Sequence, residues 1–287
     1  MTTYRYTPQA IELSRLTTNH VVSGEGPNLL WISGGGYRGS AWHDHFVPNF
    51  EKAFRNITFD NRGTPGTECA DLLPWSIADM ASDAADLLEQ TCDSPATVVG
   101  HSMGAFVALQ LALDRPDLVA SVVSLAGGAR GDSGWVGDYM RAEIALRAQG
   151  VRMPADFHAI HYAPMYYTAE ALGDPQTWNR IQTALSESQA IEDMEASIPT
   201  QWRACVDFNV QDRVPALAVP LDVVSFEQDQ CAPPAEGELL ANLAPGAKFH
   251  VLPGLGHCSM FEHNPETVSN YLAWHVLDPN RNSRVIA

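Results

Sequence analysis

The sequence predicts an α/β fold: a mostly parallel sheet covered by helices on both faces and interrupted once by a helical insertion. Three features predict it. Short apolar runs alternate with helix-period segments through the first half, the pattern of parallel strands joined by crossovers. The early runs end in glycines or turn residues, at the strand ends where open sheets of this kind bind ligands. From about Gly131 to Pro215 the strand signal stops and only helical patterns remain.

In chain order, "NLLWISGGG" reads as a buried strand running into three glycines, and "FRNITFDNRG" as a second that ends in turn residues. "IADMASDAADLLEQT" carries apolar residues at helical spacing, with Asp79 and Asp83 near its start, where the helix dipole favours acids. "PATVVGHSMG" is a third strand, "GAFVALQLALDRP" a helix closed before Pro116, and "LVASVVSLAGGARG" a fourth strand. In the insertion the clearest helices are "GDYMRAEIALRAQG", "PQTWNRIQTALSES" and "EDMEASIPTQWRACVDF", rich in Met, Tyr and Trp. "VPLDVVSFEQD" and "AKFHVLPGLGH" return to strand and loop, with the helical "PAEGELLANLAP" between them and "NPETVSNYLAWHVL" as a closing helix. The expected division is a core of residues 1–130 and 216–287 interrupted by a helical lid of residues 131–215. No internal repeat suggests a solenoid or propeller.

The charge balance narrows the partners. Thirty-four acidic residues against 17 Lys and Arg give a formal charge of -17. Such a surface repels nucleic acid and anionic membranes, and no basic run offsets it. It should also disfavour anionic substrates unless Arg38 or Arg62 forms a local basic pocket. The expected partner is therefore a small molecule, with no nucleic acid and no membrane; oligomeric state stays open, a homo-oligomer included. "MTTYRYTPQAIELSRL" lacks the apolar stretch of a secretory signal, and no segment has the length of a membrane span. Five cysteines, an odd number without metal-type spacing, fit a reducing compartment, so a cytoplasmic location is expected.

The chemistry centres on Gly100-His101-Ser102-Met103-Gly104, a G-x-S-x-G pattern with a β-branched run before it and a helix after it. A sharp strand-to-helix turn that exposes a serine crowds its neighbours, which therefore do without a Cβ. A glycine-rich turn that merely packs helix on strand is the competing reading. A serine hydroxyl needs a base within hydrogen-bonding reach. Among ten histidines, His257 in "LPGLGHCSMFEHNPE" follows a late strand in a glycine-containing loop. His263 lies at a helix entry, and His43 and His45 could line a pocket but carry no metal signature. The base needs a carboxylate to fix its tautomer. Asp229, just past the strand "LDVVSF", fits best; Asp132 competes, and Asp222 within the strand reads as structural. For the oxyanion, the Met103 backbone N–H at the helix start and that of Gly35 in "SGGGY" are the candidate donors. Met165, Tyr166 and Trp178 are candidate pocket residues, because the apolar and aromatic content of the insertion exceeds what a small lid needs for its own packing, and Trp42, after the first glycine loop, is a further candidate.

Together these residues resemble the α/β-hydrolase fold superfamily. "ISGGGYRGSAWHDHFVPNF", "ITFDNRGTPGTE" and "VVGHSMGAFVALQLALDRPDLV" resemble its bacterial cofactor-free haloperoxidase/esterase branch. The resemblance covers about Leu29 to Leu125 and Val219 to Leu277. It implies Ser102 as nucleophile, His257 as base, Asp229 as acid, Gly35 and Met103 as oxyanion donors, and no cofactor or metal. Three departures stand out: Ser33-Gly34 where many members carry His-Gly, a glycine displaced by one position in "RGTPG", and no proline in the oxyanion loop. The resulting expectation is a serine hydrolase that cleaves a small-to-medium neutral ester or lactone through an acyl-enzyme. A thioesterase, a carbon–carbon bond hydrolase, or a lyase or cyclase retaining the triad are the alternatives.

Overall fold

All five residues of β3 (Asn28–Ile32) are buried, as a strand covered on both faces requires. Leu29 and Trp31 join the apolar cluster on one face of the sheet, while Leu30 and Ile32 join the cluster on the other. The same split recurs at Val99 and Val98, Val123 and Val122, and Val224 and Val223. The protein is represented by a computed structural model that describes residues 6–132 and 134–277. Residues 1–5 of the stretch inspected for a leader therefore lie outside the described residues.

The remaining strands are β1 (Gln9–Glu12), β2 (Leu16–Ser23), β4 (Arg55–Phe59), β5 (Glu68–Cys69), β6 (Ala96–His101), β7 (Val119–Leu125), β8 (Leu221–Phe226) and β9 (Lys248–Leu252). They run in the order β1-β2-β4-β3-β6-β7-β8-β9, with β5 paired to β2. From β4 to β9 every pairing is parallel; β1, β2 and β5 make the antiparallel edge. The sheet is thus mostly parallel, as expected, but the edge hairpin is an addition. Its sequence, "LTTNHVVS", alternates buried and partly exposed residues and carries too many polar side chains to stand out.

Helix α1 (Ile77–Thr91) begins with a capping box: the Ser76 hydroxyl accepts from the Asp79 N–H, and the Asp79 carboxylate accepts from the Ser76 N–H. Asp83 has a different role from the dipole partner expected. It is buried and takes two hydrogen bonds of 2.6 Å from Arg62, whose side chain is fully buried. Helix α2 (Met103–Asp114) is apolar nearly all round because it lies between the sheet and α1.

Between β7 and β8 lie α3 (Gly134–Ala148), α4 (Ala155–Tyr166), α5 (Pro175–Ser186) and α6 (Ser188–Ser197), followed by a π-helical turn at Ile198–Trp202. Helix α4 was not legible as a helix, since its His and Tyr residues and Pro164 blur any single apolar face. An ion cluster ties these helices together: Arg147 bonds Glu143 at 2.8 Å and Glu195 at 2.7 Å, and Tyr162 donates to Glu143. No helix among the described residues is long and apolar enough to cross a membrane.

Candidate active site

Four strand ends meet at one point on the carboxyl edge of the sheet: β3 leads to the glycine loop, β6 to Ser102, β8 to Asp229 and β9 to His257. Ser102 adopts φ 56° and ψ -120°, in the left-handed region that a serine enters only under strain. The two flanking glycines are forced by contact. A Cβ on Gly100 would lie 2.0 Å from the Gly104 carbonyl oxygen, and one on Gly104 would lie 2.1 Å from that of Ile32. The turn is therefore a strained elbow, and the Ser102 side chain projects from its tip.

The Ser102 hydroxyl donates to His257 Nε2 at 2.9 Å, and the His257 Nδ1–H donates to Asp229 Oδ2 at 2.7 Å. The other Asp229 oxygen accepts the backbone N–H groups of Cys231 at 2.7 Å and Ala232 at 2.8 Å. With Oδ1 so engaged, Oδ2 is fixed on the imidazole and selects the Nδ1–H tautomer. Asp132 is exposed and takes no part in this chain. Asp222 bonds His250 at 3.1 Å, a strand-to-strand contact that matches its structural reading. His43 bonds Thr58 at 2.8 Å, His45 is exposed, and His263 is half-buried.

Asp229, Cys231 and His257 also bring three donor atoms within 4.8 Å of one another. Two of these donors already share the 2.7 Å bond, and the Cys231 thiol donates to the Met165 carbonyl oxygen at 3.4 Å. Burial pushes the thiols of Cys231 and Cys258 well above their usual range, so neither presents a thiolate.

The cavity beside Ser102 is walled by Gly35 and Met103 from the core and by Met140, Met165, Tyr166 and Trp202 from the segment between β7 and β8. Met165 and Tyr166, two of the candidate pocket residues, line this cavity. Trp42 and Trp178 do not. Trp42 is fully buried against Trp31 (ring centroids 4.9 Å apart) and Phe46, and its indole N–H donates to Ser33 Oγ at 3.0 Å. Trp178 is half-buried against the same apolar cluster and lies outside the cavity wall. Arg38 and Arg62 make no basic pocket, since Arg38 is paired with Asp193 and Arg62 with Asp83 and Asp71. Arg130 does reach the cavity, but Glu236 holds it in a two-pronged pair.

Two further residues complete the site, and neither carries a sequence signal. Gln201, fully buried in the π-helical turn, accepts from the Gly36 N–H at 2.9 Å and the Ser197 hydroxyl at 2.8 Å. Its amide donates to the Arg62 carbonyl oxygen at 2.9 Å. It ties the glycine loop to the helical segment, at the kind of helical irregularity that gathers at functional sites. Gln201→Leu keeps the size and strips these bonds, leaving buried partners open at about 1–3 kcal/mol each. A total loss of about 2–4 kcal/mol in urea unfolding is expected; a loss within 0.5 kcal/mol, about the scatter of surface substitutions, would show that the loop is held otherwise.

His101 is the second. Its Nε2–H donates to the His257 carbonyl oxygen at 2.9 Å, its ring lies 4.9 Å from the His257 ring, and its Nδ1 has no hydrogen-bond partner among the described residues. Burial above all, and then the His257 ring, push its imidazole down to about 3. An unfolded histidine titrates near 6.5, so below that pH the unfolded chain binds the proton and the folded one refuses it. Stability from this residue is therefore present above about pH 6.5 and lost as the pH falls toward 3. Wild type should lose on the order of 4 kcal/mol more across that window than His101→Gln, which cannot titrate. Parallel stability curves in urea unfolding would remove the residue from this role.

The helical segment also holds His257. The Tyr166 carbonyl oxygen accepts the Cys258 N–H at 3.0 Å, and the Tyr166 ring stacks on His257 at 6.1 Å. His257 is thus clasped between His101 and Tyr166.

A family model described as the alpha/beta hydrolase family matches residues 29–270. The chain is 34% identical over 253 residues to a Mycobacterium tuberculosis H37Rv protein named as a candidate non-heme bromoperoxidase, BpoC, covering 86% of this chain and 92% of that one. It is 28% identical over 233 residues to a Variovorax paradoxus protein named as a candidate carbamate hydrolase, RutD, covering 81% and 85%. The BpoC crystal structure superposes with a TM-score of 0.76 at 27% identity, over 94% of this chain and 97% of that one. An enol-lactonase structure from Burkholderia xenovorans LB400 has the same TM-score of 0.76 at 23% identity, over 92% and 100%, a likeness of fold alone. The chain therefore belongs to the alpha/beta hydrolase family.

Proposed function

We propose that the protein is a serine hydrolase that cleaves a small-to-medium neutral ester or lactone through an acyl-enzyme at Ser102. The observation that carries this is the continuous hydrogen-bond chain from Ser102 through His257 to Asp229, with Ser102 on a strained elbow. In the first step His257 Nε2 takes the hydroxyl proton as Ser102 Oγ bonds to the carbonyl carbon. The carbonyl electron pair moves onto its oxygen, where the N–H groups of Gly35 and Met103 would receive it. Collapse breaks the bond to the alcohol oxygen, which leaves with the bond pair and takes its proton from Nε2. Water then repeats the sequence, releases the acid and restores the Ser102 hydroxyl. Asp229 balances the imidazolium charge in each half.

The walls support a neutral acyl group, since Met140, Met165 and Trp202 offer no charge. The cavity is small, about 80 Å³, which suits a short acyl chain. In this reading residues 131–215 act as the lid that walls the acyl chamber. Met165→Ala should raise kcat/KM for a hexanoyl ester about tenfold relative to an acetyl ester, because each buried methylene contributes about 0.8 kcal/mol. Trp178→Ala, outside the wall, should leave that ratio alone. A uniform loss of activity with a lower Tm in Met165→Ala would make the residue part of the lid's packing only.

A further inference from the structure

On the outer side of Tyr37 lies a second cavity, open to solvent and lined by Asp44, Arg180, Phe261, His263 and Glu266 as well as Tyr37 itself. Tyr37 also lines the Ser102 cavity, so the two spaces share this residue as a wall. The Tyr37 ring stacks on Phe261 with centroids 4.9 Å apart and planes 19° from parallel. The outer cavity is the larger, about 730 Å³ against about 80 Å³ for the inner one.

We infer that this outer groove is the leaving-group subsite, that it takes a polar, uncharged alcohol larger than the acyl group, and that Tyr37 is the partition between the two. The inference rests on the acyl-enzyme reading above. The departing oxygen takes its proton from His257 Nε2, so the alcohol must lie on the His257 side of the reacting carbon. The groove is built on that side, from Phe261 to Thr267, the chain that continues out of the His257 loop. Met140, Met165 and Trp202 line the inner cavity, which takes the acyl group in this reading.

Charge defines the class of alcohol. Arg180, exposed on α5, bonds Thr177 Oγ1 at 3.1 Å and reaches the groove, where Asp44 and Glu266 oppose it. Burial holds the His263 imidazole below its usual range, which leaves it a neutral donor and acceptor. A groove with donors, acceptors, both signs of charge and a stacked aromatic floor suits a hydroxylated alcohol such as a sugar better than an ion.

The test compares 6-O-acetylglucose with methyl acetate in wild type, Tyr37→Ala, Tyr37→Phe and Arg180→Ala, together with labelling of Ser102 by a small fluorophosphonate. Wild type should cleave both esters. Arg180→Ala should lower the sugar-to-methyl ratio of kcat/KM about fivefold, through KM. Tyr37→Ala should raise it about tenfold, and Tyr37→Phe, which keeps the ring, should leave it within about twofold. Arg180 is exposed, so that arm stands even where Tyr37→Ala fails to fold. If Ser102 is labelled but the sugar ester goes uncut, or Arg180→Ala leaves the ratio unmoved, the subsite is overturned and the acyl-enzyme reading stands. If Ser102 is never labelled in wild type, the acyl-enzyme reading fails and the subsite with it.

Discussion

Ser102→Ala is expected to lower kcat by about 10⁴-fold or more while the protein keeps its fold. The size follows from what is removed: the attacking oxygen itself, with only backbone donors and binding left to act on the carbonyl, a residue worth about 10³–10⁴ over water in the best-studied triads. The fold should survive because Ser102 Oγ bonds only His257, while the elbow is held by the Ser102 N–H to the Leu125 carbonyl oxygen at 2.9 Å. An alanine at positive φ is already tolerated nearby, at Ala126 with φ 48°. Steady-state turnover of the preferred ester together with a thermal melt checks this. Turnover near the wild-type rate in a folded variant would displace Ser102 from the chemistry.

Asp229→Asn is the second large effect, and its geometry explains the size. Asp229 Oδ1 accepts two backbone N–H groups, from Cys231 and Ala232. An asparagine must keep its carbonyl oxygen there, since its amide cannot accept. Its NH₂ then faces His257 Nδ1 and turns that atom into an acceptor. The ring proton moves to Nε2 and points at Ser102, where a base is needed. A loss of at least about a hundredfold in kcat is expected, up to about 10⁴ by analogy with the same exchange in the best-studied triad. Asp132→Asn, exposed and outside the chain, should change kcat by less than about tenfold, the ordinary reach of a surface charge. Both variants measured at one pH decide it, and the reverse ranking would move the acid to the end of β7.

The parts of this site that the sequence reveals are those set by strand ends. Ser102 and Asp229 each follow an apolar run that reads as a buried strand, and His257 follows the partly exposed edge strand β9, so the topology carries all three to one edge. The glycines at positions 100 and 104 were legible for the same reason, since a Cβ has nowhere to go. Side-chain direction within the helical segment was not legible. Trp42 and Trp178 carry the same aromatic signal as Tyr166, but packing against Trp31 and the core cluster turns them away from the cavity. Gln201 is an ordinary helix residue by sequence, and its role appears only when the glycine loop is brought against it. His101 sits inside the recognised motif, yet its partner is a carbonyl 156 positions along the chain. Asp83 shows the limit from the other side: a dipole argument placed it correctly on α1, while the buried Arg62 supplies the actual reason.

If an ester passes its acyl group to Ser102, rapid acid quench during turnover of an activated ester, followed by mass analysis of the peptide containing Ser102, should catch the acylated serine. That peptide is expected to gain the mass of the acyl group less one hydrogen, a gain absent from Ser102→Ala and trapped in higher yield in His257→Ala once acylated. Sustained turnover with the Ser102 peptide unmodified at every quench time, or an adduct carried by another residue, would contradict acylation of Ser102.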